Sequence, residues 1–271
     1  MMSLVARLLH ASGPALEAGS AGEIAAIMER RCFEPLERIS AIRGNRQLAF
    51  VPKTLQSVSD YLTDNRNAAV ILDNGRSGPL EACVRIATGL SVVHTELRRP
   101  AQSLSYVVVP LETATTGELL AAMCDLAIAL RAVAGAVTTE STFDEAQSYA
   151  MAVGGAGSRQ SLADDATSQH LRERASYHYY LAELDERIAS PEWGLFLGAG
   201  HLATLPIAAL RNSGAFAVIR ELRHGELAYL QLTGDPADAL APGFAETLAQ
   251  ARQSLREVLM DSSIVPERAW Q

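Results

Sequence analysis

Apolar and polar positions along this chain recur with two different periods. Between residues 68 and 109 the period is two. Ala68–Leu72 is a short apolar run closed by Asp73-Asn74-Gly75, a turn signal. Leu80, Ala82, Val84 and Ile86 then alternate with Glu81, Cys83 and Arg85. Ser91–Arg98 and Ser103–Val109 are rich in β-branched residues and bounded by turns or by Pro100 and Pro110. These four segments predict a small, mostly antiparallel sheet. Further on, the period lengthens to that of a helix. Leu119, Leu120, Met123, Leu126, Ala127 and Leu130 form one apolar face of Thr116–Val133, which Thr115 and Glu118 open at capping-box spacing. Other helices are predicted at Glu23–Arg31, at Lys53–Leu62 and from the capping pair Thr142 and Glu145 to about Ala152. Ala134–Thr139 reads as a short strand. Residues 1–20, rich in Ala, Gly and Ser, read as a mobile lead-in.

The second half repeats the change of period. Val153–Gln160 contains Gly154, Gly155 and Gly157, with Asp164 and Asp165 shortly after. This stretch divides the chain into an α+β half at 1–153, a loop or linker at 154–169 and a second α+β half at 170–271. His170–Ile188 has a helical pattern, and Tyr177-His178-Tyr179-Tyr180 within it also fits a strand; both readings stay open. Leu197–Leu205 reads as a short helix or loop ended by Pro206. Ala215–Leu222 and Glu226–Leu232 read as strands joined by a tight turn at Arg223-His224-Gly225, and Gly234-Asp235-Pro236 ends the pair. Phe244–Met260 is the closing helix, with Leu248, Ala251, Leu255, Val258 and Leu259 facing inward. Antiparallel strands flanked by helices define an α+β fold. Whether the halves form one compact body or stand apart is left open, and internal self-similarity is too weak to establish a repeat.

Composition narrows the picture. At 271 residues with 48% hydrophobic side chains, the chain is long enough for one large domain or two modest ones. A chain of this size buries roughly three quarters of its unfolded surface and needs no staple. Cys32, Cys83 and Cys124 are odd in number and widely spaced, which argues against a disulfide framework, and no CxxC pair suggests zinc. The net charge of −8 disfavours nucleic acid and anionic membranes and permits a basic protein partner. Residues 1–153 carry 13 basic and 16 acidic side chains, and residues 154–271 carry 10 and 15. Lys53 is the single lysine against 22 arginines, a bias that reflects GC-rich codons rather than function. Arg7 interrupts the first apolar run, and no segment reaches the ~20 apolar residues of a membrane-spanning helix. A cytoplasmic protein is expected.

No catalytic constellation emerges. His10, His94, His170, His178, His201 and His224 form no metal-spaced pair, so they read as surface or hydrogen-bonded structural histidines. There is no GxSxG elbow. Val153-Gly154-Gly155-Ala156-Gly157 lacks the strand–loop–helix order and the following Lys-Ser/Thr of a phosphate loop, and Gly198-Ala199-Gly200-His201 lacks the third glycine of a dinucleotide fingerprint. Paired carboxylates such as Asp164/Asp165 and Glu183/Glu186 read as solvated surface. No cofactor, no metal and no catalytic residue is therefore assigned. Tyr177, Tyr179, Tyr180, Trp193, Phe196 and Trp270 cluster in the second half. Trp193 and Phe196 read as core anchors, while tyrosines suit interfaces because they bury much area at low entropy cost.

One stretch carries a resemblance. Pro191-Glu192-Trp193-Gly194-Leu195-Phe196-Leu197-Gly198 and His201-Leu202 are followed by strand, turn, strand and a final helix, with Leu230-Gln231-Leu232-Thr233-Gly234-Asp235-Pro236 before that helix. Over about residues 190–260 this resembles the C-terminal half of bacterial immunity proteins that neutralise polymorphic or type VI secretion toxins. In those proteins a W-x-x-F-L-G segment precedes a β-hairpin and a last helix. The resemblance implies a non-enzymatic, cytoplasmic protein that binds and blocks a cognate toxin. An acidic inhibitor would be steered toward a basic toxin. Asp164, Asp165, Tyr177, Tyr179 and Tyr180 are the residues assigned to that contact. Two alternatives stay open: a hydrolase or transferase with a diffuse site on the α+β scaffold, and a structural subunit that self-associates into a homo-oligomer.

Overall fold

From Leu4 to His10, every residue of the first strand, β1 (Ser3–Ala11), is buried. The computed structural model describes residues 3–11, 23–24, 26–27, 35–43, 46–64, 66–67, 69–76, 83–87, 102–110, 116–140, 186–188 and 191–259. The expectation of a mobile lead-in over residues 1–20 does not hold for Ser3–Ala11. A strand buried on both faces shows a continuous apolar run with no alternation, so its pattern carries no strand period.

After helical residues at 23, 24, 26 and 27 come β2 (Arg38–Arg43), β3 (Arg46–Gln47) and β4 (Val51–Pro52). Helix α1 (Leu55–Thr63) follows, opened by a capping box in which Thr54 Oγ1 accepts from the Ser57 N–H at 3.0 Å. Then β5 (Ala69–Asp73), β6 (Cys83–Ala87) and β7 (Gln102–Pro110) form a meander. Helix α2 (Thr116–Ala129) leads into β8 (Ala132–Glu140). Arg131 makes the turn between them with φ 51, a left-handed conformation. The second half contributes β9 (Gly194–Gly198), α3 (Ala199–Thr204), α4 (Ile207–Ser213), β10 (Val218–Arg223), β11 (Leu227–Gln231), a 3₁₀ turn at Pro236–Leu240 and α5 (Phe244–Leu255).

The strands predicted around residues 68–72, 103–109, 134–139, 215–222 and 226–232 are all present within a few residues, as are the helices at 53–62 and 116–133. The closing helix ends at Leu255 rather than Met260, and Leu259 instead bridges in parallel to Ile188. Ser91–Arg98, the helix from Thr142, the boundary at Val153–Gln160 and most of His170–Ile188 lie outside the described residues.

All described strands join one antiparallel sheet in the order β10-β11-β9-β8-β1-β7-β6-β5-β2-β3, with β4 also on β2. β1 lies near its middle, paired with β7 on one side and β8 on the other. The strands of the second half meet those of the first at β8–β9, where Ala134–Val137 pairs with Gly194–Leu197. One face carries Ala6, Leu8, Ile39, Leu72, Val84, Val137 and Phe196 in a core shared with Val58 and Leu62 of α1 and with Leu119, Met123 and Leu126 of α2. α2 is apolar nearly all round, as a helix covered on most sides must be. The opposite face carries Ala136, Leu195, Leu197, Ala228 and Leu230, packed by Leu202, Leu210 and Leu255 of α3, α4 and α5. These antiparallel sheet layers with flanking helices are the α+β fold that the sequence pattern implies. Among the described residues, no helix is long and apolar enough to cross a membrane.

Candidate functional site

Three polar assemblies interrupt the apolar packing. The first is a clasp at the end of β9 and β11. The Trp193 indole N–H donates to Thr233 Oγ1 at 2.8 Å, and the Thr233 hydroxyl donates to the Asp235 carbonyl at 2.9 Å. The Gln231 amide donates to the carbonyls of Thr233 and Gly234 at 2.6 and 3.3 Å. The Tyr229 hydroxyl donates to Gln231 Oε1 at 3.4 Å. Burial pushes the Tyr229 phenol far up, so it remains a protonated donor. Asp235 then caps the 3₁₀ turn by accepting from the Ala237 N–H at 2.8 Å. The Leu230–Pro236 join of the sequence motif is thus a chain-reversing element whose buried polar groups satisfy one another.

The second assembly is an ion pair between Arg7 of β1 and Glu192, just before β9, at 3.6 Å. The Arg7 side chain is 3% exposed and that of Glu192 11%. Arg7 is in register with Ala136, and Ala136 with Leu195, so the pair ties the first strand to the start of the second-half sheet. Nearby, His201 is wholly buried at the start of α3 and accepts the Gly198 N–H on Nδ1 at 3.2 Å. His201 thereby caps the start of α3.

The third lies at the β2 end of the sheet. Arg38 Nε donates to Asp73 at 2.7 Å, Asp73 also accepts from the Gly75 N–H at 2.8 Å, and the Arg38 guanidinium lies 4.9 Å from the Phe50 ring centre. Arg43 and Arg66 converge on Asp64 at 2.8 and 2.9 Å. The Arg66 side-chain hydrogen bond, and then its backbone N–H, pull the Asp64 carboxyl down to about 2. These are arginine–carboxylate braces; Arg66 is two positions from Asp64, whereas Arg43–Asp64 and Arg38–Asp73 span 21 and 35 positions, too far for a local pattern to mark them.

No reactive set is assembled among these groups. Burial pushes the Cys124 thiol up to about 12, which makes it an inert core residue, as read from its apolar context. His224 sits on the exposed β10–β11 turn, 2.8 Å from Glu221. Among the described residues no three His, Cys, Asp or Glu side chains are grouped to hold a metal ion. Trp193 and Phe196 are core residues, 1% and 0% exposed, as the sequence implies. Asp164, Asp165, Tyr177, Tyr179 and Tyr180, the residues assigned to partner binding, lie outside the described residues. Arg7 stands in no motif, and although Glu192 and His201 fall in the stretch that carries the family resemblance, nothing in it marked the ion pair or the cap.

Fold and polar assemblies together define an α+β protein on one antiparallel sheet, braced by internal polar links. No family model matches the sequence, and no curated protein matches it. The fold is similar to that of the Pseudomonas aeruginosa T6SS protein PA0821, with a TM-score of 0.55 at 14% sequence identity, over 100% of this chain and 84% of that one.

Proposed function

We propose that this chain is a type VI secretion immunity protein that acts in the cytoplasm by binding and neutralising a cognate toxin. The observation that supports this reading is the likeness to a T6SS protein over the whole length of this chain, including the first half, where the sequence carried no resemblance. The W-x-x-F-L-G segment contributes in a second way. It is spent on the doubly buried strand β9, so any contact with a toxin falls to side chains outside the motif. Asp164, Asp165, Tyr177, Tyr179 and Tyr180 are the proposed contact, with the acidic pair matched to a basic toxin. The test is to express any secreted toxin found encoded beside this chain in a sensitive host, alone and with this chain. Growth is restored and the two proteins co-purify as a complex. Continued killing with no complex would overturn the reading.

A further inference from the structure

We draw no further inference here: the strongest candidate, the outer edge of β10 at one end of the described sheet, carries the exposed charges of Arg220, Glu221 and Arg223 and a register shift against β11, and nothing in the structure shows what covers it.

Discussion

Gly135 and Gly117 show how much the demand on one residue type depends on its surroundings. A Cβ on Gly135, in β8, would lie 2.6 Å from the Arg7 carbonyl and 3.0 Å from carbons of Leu8 and Phe196. The backbone of a central strand cannot yield, so Gly135→Ala costs about 1–3 kcal/mol or more. A Cβ on Gly117, in the first turn of α2, meets nothing within 4 Å. Gly117→Ala therefore stabilises by up to about 1 kcal/mol, since alanine gives up less backbone entropy in a helix. Urea midpoints of the two variants should move in opposite directions, and equal shifts would contradict this packing. In the sequence Gly135 lies between Ala134 and Ala136 and Gly117 between Thr116 and Glu118, and neither setting shows how much room a Cβ would have. By contrast, the core role of Trp193 and Phe196 was legible, because large aromatics in an apolar run have few other places to go.

At the scale of elements, α1 carries its electrostatic brace at its C-terminal end. Asp64 is held at about 2, below the ordinary aspartate value of 3.8, by Arg66 and by Arg43. A depressed folded-state value means that the stabilisation is fully present above about pH 4 and is lost as pH falls through about 2. Asp64→Asn removes that component, so stability falls less steeply between pH 4 and 2 than in the wild type. Denaturant midpoints across this window check it, and parallel pH profiles would refute it. α1, α2, β7 and the β10–β11 hairpin were legible because each has a clear period and capping or turn residues at its ends. β2, β3, β4 and β9 were not. β3 and β4 are two residues each, β2 buries three consecutive residues, Ile39–Ala41, and β9 is an apolar run with glycine at both ends, buried on both faces, so none shows a clear alternation.

For the molecule as a whole, the decisive element is β1. It contributes Leu4, Ala6 and Leu8 to the main core and pairs along its length with both β7 and β8. A chain lacking residues 1–11 therefore fails to fold, seen as loss of the cooperative thermal transition and of soluble yield. A truncated chain that melts like the full one would show that the sheet does not depend on β1. The sequence alone determined the α+β class, the helical faces, the hairpin near the C-terminus and the lack of a local catalytic motif, because those follow from periods of a few residues and from nearby turn chemistry. Only the tertiary structure decided that the eleven described strands share one sheet and that Arg7 meets Glu192 across the two halves. Those facts depend on pairings between residues tens to hundreds of positions apart, where burial on both faces removes the alternation that local reading needs.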